Sequence, residues 1–219
     1  FADGFESGSF SEWGGTTTTS GEAAAVTGIQ AHHGVYSAIF TSNGGGGVEN
    51  AYCYKTVDMN EVYVRGYFYI DSGLPLSDNG DRFYLLRLAG ASQNLVYVGI
   101  RRDGGVDKWM VYVRDGASWM GWTYADTPLP ETGRWICVEL HWRLDSTVGL
   151  VELYVDGAKI IEISGIDTDN YGNAVQVDFG LIYAAGVQNS LTVYGDCAVI
   201  SQNYIGPEPA PHDHTLDIS

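Results

Sequence analysis

Alternation of apolar and polar residues with a period of two runs through most of the sequence, and no segment has the 3.6-residue period of a helix. The alternating stretches are residues 35–41, 51–57, 62–70, 82–88, 95–101, 109–114, 135–143, 151–155, 175–183 and 191–201. Asn-Gly or Asp-Gly turns follow several of them, at Asn79, Asp103, Asp115 and Asp156. Short strands joined by such turns predict an all-β fold, a sandwich of two antiparallel sheets.

Length and composition agree with one large β-domain. The 219 residues are 45% hydrophobic and 13% aromatic, which is enough to bury a sizeable core. We predict one domain at residues 1–207, then a proline-rich linker and the start of a further segment at 208–219, as expected for part of a larger multidomain protein. No apolar run approaches the ~18 residues of a membrane helix, so membrane insertion is not expected.

Charge is unevenly distributed along the chain. The formal net charge of −16 argues against nucleic acid as a partner, because both would be negative. Residues 1–64 sum to −6 and residues 144–219 to −10, whereas residues 65–143 contain nine acidic and nine basic side chains. Two interpretations stay open: a chance fluctuation, or a cationic surface that accepts an anionic polysaccharide on an otherwise acidic protein.

The three cysteines give no metal or redox motif. Cys53, Cys137 and Cys197 form no Cys-x-x-Cys pair, and each lies in an alternating stretch, where buried inert thiols are common. A Cys53–Cys197 disulfide is an open alternative. Abundant tyrosine, threonine and glycine with few lysines are typical of a secreted β-protein, so we expect an extracellular location.

Several short motifs are spread along the chain. They are DGFESGSFSEW at 3–13, QAHHGVYSA at 30–38, GRW at 133–135, ELYVDG at 152–157, YGD at 194–196, VIS at 199–201 and YIGP at 204–207. Together they resemble the concanavalin A-like, laminin-G-like jelly rolls of secreted carbohydrate-binding modules, glycoside hydrolases and polysaccharide lyases. The resemblance implies a two-sheet antiparallel jelly-roll sandwich over nearly all of residues 1–207. It leaves the function open, because that fold hosts lectins, enzymes and adhesion modules.

The resemblance also implies a metal. Such families often hold a structural calcium where the first and last strands meet, and the matching positions here are Asp3, Glu6 and Asp196. Carboxylates are ligands that Ca²⁺ prefers. The alternative is that Asp3 and Glu6 are ordinary turn residues and Asp196 a solvated strand acid.

Strand alternation assigns the outward side chains of the central stretches, and these are rich in tyrosine and arginine. If the strands share one sheet, they form one ligand-binding face of Tyr63, Arg65, Tyr67, Arg87, Tyr97, Arg101, Tyr112, Arg114, Glu139 and His141. Aromatic rings stack on sugar rings, and arginine pairs with hydroxyls or uronate carboxylates. Alternatively, tyrosine favours strands and arginine covers apolar surface. Trp119, Trp122 and Tyr124 are either a second aromatic platform or part of the core.

Three functions stay open. The first is a non-catalytic module that binds a polysaccharide, including one that carries uronates. The second is a polysaccharide lyase acting by β-elimination, in which Arg65 or Arg87 neutralises the uronate and His141 takes the proton. Tyr67 or Tyr112 would then be the acid. The third is a structural or adhesive module of a larger extracellular or filament-forming protein.

Two motif absences bear on these alternatives. The Glu-x-Asp-x-x-Glu strand of glucanases with this fold is missing, which argues against glycoside hydrolysis. The Gln-Ile-His and Tyr-Phe-Lys-Ala-Gly signatures associated with lyases of this fold are missing as well.

Overall fold

The computed structural model describes residues 1–209, which form fifteen strands and no helix. The strands are β1 (Ala2–Asp3), β2 (Gly15–Thr18), β3 (Ala23–Thr27), β4 (Ser37–Ser42), β5 (Val48–Met59), β6 (Glu61–Ser72), β7 (Arg82–Ala89), β8 (Asn94–Asp103), β9 (Val106–Asp115), β10 (Ser118–Tyr124), β11 (Trp135–Arg143), β12 (Gly149–Val155), β13 (Ala158–Ile166), β14 (Ala174–Ala185) and β15 (Leu191–Ser201). The prediction of an all-β fold is confirmed. Across residues 1–209 there is no helix of the length and apolar character that a membrane crossing requires.

The strands form two antiparallel sheets. The seven-stranded sheet has the order β10-β9-β8-β7-β14-β5-β2. The eight-stranded sheet has the order β13-β12-β11-β6-β15-β4-β3, and the short β1 adds to it by pairing with β15. Sheet neighbours that are far apart in sequence, such as β6 and β15, are typical of a jelly roll, and the predicted two-sheet sandwich is confirmed.

Aromatic side chains fill the space between the sheets. Trp109 and Trp142 are fully buried there, and Phe179 on β14 packs against Phe68 on β6 with ring centroids 4.6 Å apart. The sheets approach closely at this point because Gly66 carries no side chain. A Cβ on Gly66 would lie 2.2 Å from Cε2 of Phe179, so any other residue would displace that ring.

The three cysteines are buried and unpaired. Cys53 lies on β5 in the main core, where its thiol donates to the carbonyl of Phe179. Cys137 and Cys197 lie on the opposite sheet and contact Tyr67 outside that core. The disulfide alternative was therefore wrong, because its two cysteines belong to different sheets.

A segment after β15, residues 202–208, crosses the outer face of the eight-stranded sheet; we call it the C-terminal strap. The carboxylate of Glu139 accepts hydrogen bonds from the backbone N–H groups of Ile205 and Gly206, at 2.9 and 2.8 Å. Tyr67 Oη accepts one from the N–H of Glu208 at 2.7 Å. The domain boundary at residue 207 stays a prediction, and of the predicted linker only residues 208 and 209 are among the described residues.

Candidate functional site

The predicted ligand-binding face is divided between the two sheets. Tyr63, Arg65, Tyr67, Glu139 and His141 lie on β6 and β11 of the eight-stranded sheet, and Arg87, Tyr97, Arg101, Tyr112 and Arg114 lie on β7, β8 and β9 of the seven-stranded sheet. All ten side chains point away from the main core, as the alternation predicts. The expectation of one continuous face was wrong, because its strands do not share a sheet and the two groups point in opposite directions.

The group on the eight-stranded sheet is covered by the C-terminal strap. Arg65 is only 5% exposed and donates to the carbonyls of Gly206 and Cys197, both at 3.1 Å. Burial raises the pKa of Tyr67 to about 12, although its hydrogen bond from the Glu208 N–H opposes that rise. These side chains hold a segment of the protein itself, and Arg65 additionally lines a cavity of about 380 Å³ beside that segment.

His141 lies in the same covered region, within a network of charged side chains. Its Nδ1 is 2.7 Å from the Glu152 carboxylate and its Nε2 is 3.0 Å from the Glu61 carboxylate. The ring stacks on Tyr63 with centroids 3.9 Å apart and planes 5° from parallel. Both ring nitrogens are therefore engaged within the protein.

The other sheet carries an open, cationic and aromatic surface, which we call the arginine–tyrosine face. It consists of Arg82, Tyr84, Arg87, Tyr97, Arg101, Tyr112, Arg114, Trp119, Trp122 and Tyr183. A cavity of about 460 Å³ lies on it, lined by most of these side chains together with Gln93 and Asn94. Half of the predicted ligand-binding residues thus share one face, although Tyr97 and Arg87 are largely buried in it.

Three aromatic rings form a stack at one side of this face. Tyr112 on β9 lies parallel to Trp119, with centroids 4.3 Å apart, and parallel to Trp122, with centroids 5.1 Å apart. The side chain of Trp122 is 36% exposed. Strand β10 therefore supplies an aromatic platform, and the alternative that Trp119 and Trp122 close the core was wrong.

Arginines lie over these rings. The Arg101 guanidinium is 4.3 Å from the Trp122 ring centroid, and that of Arg114 is 4.4 Å from the Trp119 ring centroid. Such cation–π contacts hold the guanidinium groups on the surface. Within residues 1–209, neither Arg82 nor Arg114 has a carboxylate partner within 4.0 Å, so the face carries uncompensated positive charge.

The floor of the face contains a buried ion pair. Arg87 Nε donates to Oδ2 of Asp178, a fully buried residue, and its Nη2 donates to Tyr52 Oη at 3.2 Å. Asn94 Nδ2 donates to Tyr97 Oη at 2.7 Å. Burial raises the pKa of Tyr97, and the neighbouring Arg87 opposes that rise. A raised pKa keeps the Tyr97 phenol protonated at neutral pH, so it can donate as well as accept hydrogen bonds.

The alternation pattern missed part of this face because β7 contains a bulge. The register between β7 and β8 shifts between Tyr84 and Leu86, so Leu85 and Leu86 both face the core. The bulge shifts the alternation of inward and outward side chains by one residue. Tyr84 and Arg87 consequently point to the same side of the sheet although they are three residues apart. No local sequence signal marks this bulge.

The three residues predicted to bind calcium lie near the pairing of the first and last strands, but their carboxylate oxygens do not form a group within 4.8 Å of one another. Strand β1 pairs with β15, and a Cβ on Gly4 would lie 3.8 Å from Asp196 Oδ1 and 4.0 Å from Glu6 Cγ. Asp196 accepts hydrogen bonds from the N–H groups of His32 and His33, and burial raises its pKa against their effect. Asp196 is buried, Asp3 is half-buried and Glu6 is exposed, so the three carboxylates offer the oxygen donors that Ca²⁺ prefers without forming one buried cluster.

All three carboxylates already accept hydrogen bonds from within the protein. Glu6 binds the N–H groups of Val35 and Tyr36, each at 2.9 Å, and closes the loop before β4. Asp3 uses both oxygens, one for the N–H of Phe5 and the other for Nε1 of Trp13. Asp196 accepts hydrogen bonds from three backbone N–H groups, those of His32, His33 and Cys197, so each of the three carboxylates would have to share its oxygens with a cation.

Comparisons with known proteins place the fold. No model of a known protein family and no curated protein sequence matches the chain. Among solved structures, an endo-β-1,4-glucuronan lyase from the fungus Trichoderma reesei superposes with a TM-score of 0.71 at 14% identity, covering 93% of this chain and 95% of that one. The cellulose-induced protein Cip1 superposes with a TM-score of 0.69 at 18% identity, covering 95% and 100%.

More distant likenesses include two further carbohydrate-related structures. The alginate lyase AlyC3 gives a TM-score of 0.57 at 10% identity over 75% of this chain and 74% of that one. Domain 4 of the Geobacillus stearothermophilus extracellular arabinanase AbnA, in complex with arabinotriose, gives 0.52 at 14% identity over 90% and 92%. Identities this low speak for architecture alone, and the chain has the β-jelly-roll sandwich fold that these structures share.

Proposed function

We propose that the protein binds an acidic polysaccharide on the arginine–tyrosine face. The observation that carries the proposal is the placement of uncompensated arginines beside the Tyr112–Trp119–Trp122 stack, around a cavity of about 460 Å³. An exposed aromatic ring packs against the C–H face of a sugar ring, and a guanidinium pairs with a carboxylate in a bidentate geometry. Uronate-containing chains offer both groups on one residue.

The structural neighbours support the same substrate class. Two of them are named as lyases of glucuronan and of alginate, and one AlyC3 structure contains dimannuronate. The central segment of the chain is neutral overall while the flanking segments are acidic. An anionic glycan is therefore accepted at this face of a protein that otherwise repels polyanions.

Binding without bond cleavage is favoured over lyase activity by the groups on the face. β-Elimination needs a base whose pKa lies near the working pH. Among residues 1–209 the arginine–tyrosine face carries no histidine, and the carboxylate of Asp178 is held by Arg87. Tyr84 and Tyr97 have pKas raised by burial, which suits proton donation better than proton abstraction.

Affinity electrophoresis in gels that contain glucuronan, alginate or a neutral glycan tests this proposal. We expect retardation by the two acidic polymers, no retardation by the neutral one, and a weakening of retardation as salt is added. Arg114→Ala should reduce retardation, while the matched control Arg143→Ala, on the opposite sheet, should not. Absence of retardation by every acidic polymer would refute the proposal, and self-association without binding would favour a structural module.

The same samples separate the two polysaccharide functions. Incubation with each acidic polymer is followed by ultraviolet absorbance, because β-elimination creates an unsaturated sugar. Retardation without a rise in absorbance supports a binding module. A rise that depends on the arginine–tyrosine face would establish a lyase instead.

We also propose a structural calcium held by Glu6 and Asp196, with Asp3 nearby, and an extracellular location. A cation at this junction would join the loop before β4 to the last strand and so stabilise the fold. The location rests on composition and on a neighbour named as an extracellular arabinanase. Detection of the native protein in culture medium rather than in cells would test it.

A further inference from the structure

A second cluster of metal-ligating side chains adjoins the proposed calcium site but uses different ligands. It combines His32, from the loop before β4, with Cys197 on β15 and Glu208 in the C-terminal strap. The His32 Nδ1 atom is 3.8 Å from Cys197 Sγ and 3.6 Å from Glu208 Oε2. The three ligand atoms all lie within 4.8 Å of one another. We propose that these residues bind a zinc ion that clamps the C-terminal strap to the domain.

The spacing of the ligand atoms fits a tetrahedral zinc site. Zinc–nitrogen and zinc–oxygen bonds of about 2.0 Å and zinc–sulfur bonds of about 2.3 Å place neighbouring ligand atoms about 3.3–3.6 Å apart. The distances from His32 Nδ1 to Cys197 Sγ and to Glu208 Oε2 exceed this range by a few tenths of an ångström at most. The separation of Cys197 Sγ from the Glu208 carboxylate lies within 4.8 Å, so zinc binding requires side-chain movements of about 1 Å at most.

The fourth position is open to solvent or to a second histidine. His33 Nδ1 lies 3.7 Å from Glu208 Oε2, and its side chain is 79% exposed. A cavity of about 380 Å³, lined by His33, Cys197 and Glu208 among others, reaches the cluster. An ion consequently has both a route of entry and a fourth ligand, either His33 or water.

Each ligand is held in place by a neighbour. The His32 ring stacks on Tyr67 with centroids 3.7 Å apart, and its backbone N–H donates to the Asp196 carboxylate. The backbone N–H of Glu208 donates to Tyr67 Oη. Such outer contacts orient the ligands of metal sites and raise their affinity.

The direction of the Cys197 side chain follows from an unusual backbone conformation. Its φ is +49°, in the left-handed region that non-glycine residues rarely adopt, and it lies where the register of β15 against β6 shifts between Asp196 and Val199. This bulge turns the thiol toward the His32 loop. Strained residues of this kind often serve a function, and here the function is the direction of the thiol.

The chemistry of the ligand set selects zinc over calcium. A thiolate and an imidazole are soft or borderline ligands that Zn²⁺ prefers, whereas Ca²⁺ takes oxygen ligands. A thiolate and a carboxylate together balance the charge of one Zn²⁺. Arg65 Nη2 is 3.5 Å from Glu208 Oε1, so it orients one carboxylate oxygen and leaves Oε2 for the ion.

Cobalt substitution tests the site directly. The full chain is reduced, treated with a chelator, dialysed and titrated with Co²⁺, whose thiolate complexes absorb by charge transfer in the near ultraviolet. We expect a charge-transfer band in the wild type that Zn²⁺ abolishes and Ca²⁺ does not. Cys197→Ser should lose the band, whereas the matched control Cys137→Ser should keep it, because Cys137 is a buried thiol on the same sheet outside the cluster.

Glu208→Gln supplies a second variant, because its side chain is partly exposed in the strap and the change keeps its size. Its Zn²⁺ affinity, measured by competition with a chromophoric chelator, should fall by about tenfold or more. The proposal is overturned if the wild type gives no band, if Cys197→Ser keeps it, or if Cys137→Ser loses it. An unchanged affinity in Glu208→Gln would also overturn it.

Discussion

Arg87 forms an ion pair with Asp178 beneath the arginine–tyrosine face, and Asp178 is fully buried. Burial raises the pKa of the Asp178 carboxyl, while the charge and hydrogen bond of Arg87 oppose that rise. The pair therefore depends on its arginine to keep a buried negative charge compensated. This relationship makes Arg87 a structural support of the face.

Replacement of Arg87 by methionine should destabilise the protein by about 3–5 kcal/mol at neutral pH, because it leaves a buried charge unpaired. Without Arg87 the folded-state pKa of Asp178 rises further above its unfolded value. The loss of unfolding free energy in the variant is therefore greatest at pH values above the folded-state pKa of Asp178. It becomes smaller as the pH falls through that pKa, because protonation removes the unpaired charge. Urea unfolding at several pH values measures this. Adding Asp178→Asn to Arg87→Met should recover much of the lost stability. A loss of stability that does not change with pH would contradict the role of the unpaired Asp178 charge.

The aromatic platform should contribute to glycan binding with little effect on stability. Trp122→Ala removes a partly exposed ring from the stack with Tyr112, so we expect about tenfold weaker retention, equivalent to about 1.4 kcal/mol. The change in unfolding free energy should stay below about 1 kcal/mol. Tyr204→Ala is a matched control, because Tyr204 is an aromatic residue, 49% exposed, in the C-terminal strap over the opposite sheet. Equal losses of retention in the two variants would mean that the platform is not the binding surface.

Arg65, unlike Trp122, should contribute to stability and not to glycan binding. Its guanidinium donates to two backbone carbonyls under the C-terminal strap, so Arg65→Ala should lower the free energy of unfolding by about 2–4 kcal/mol. Glycan retention by the folded variant should not change. Arg143→Ala, at the end of β11, should alter stability by no more than about 0.5 kcal/mol. A loss of retention by folded Arg65→Ala would return a binding role to the eight-stranded sheet.

Much of the fold was predictable from the sequence because alternation reports burial directly. The outward positions of Arg65 and Tyr112 follow from the apolar residues on either side of them. The partner strands do not follow, since β6 pairs with β15 more than a hundred residues later. Pairing over such distances depends on the whole topology, so alternation alone could not show that Arg65 and Tyr112 occupy different sheets.

The site was only partly predictable for two further physical reasons. The bulge in β7 places Tyr84 and Arg87 on one side, and a bulge leaves no signature in composition. The cluster of His32, Cys197 and Glu208 joins three segments that are distant in sequence, so no motif spacing reveals it. Its strongest signal, the left-handed backbone of Cys197, exists only in the folded chain.

The network around Glu152 should make stability depend on acid pH. Burial alone would raise the pKa of Glu152, but hydrogen bonds from Lys159, His141 and Tyr154 outweigh it and lower the pKa to about 2. A carboxyl with a lowered folded-state pKa contributes stability above its unfolded value, and this contribution is lost as pH falls from about 4.5 to about 2.

Comparison of the wild type with Glu152→Gln isolates this contribution from other carboxyl groups. The variant should be less stable by about 1–3 kcal/mol at pH 7, and the difference should disappear near pH 2. Chemical unfolding of both proteins at matched pH values provides the measurement. A difference that stays constant between neutral and acid pH would show that packing, not the charge, accounts for the effect.

Calcium removal should lower the thermal stability of the domain. With the ion at about a hundred times its dissociation constant, binding adds about 2.7 kcal/mol, so a chelator should lower the Tm by about 5–10 °C. The experiment uses the Cys197→Ser background, which removes the proposed zinc site, and restores Ca²⁺ after chelation. Glu6→Gln in that background should have a Tm that no longer responds to chelator, because Glu6 is a proposed ligand and lies, like Asp196, beside Gly4. A Tm that is the same with and without chelator in the parent protein would mean that these carboxylates serve only to bind the backbone N–H groups around them.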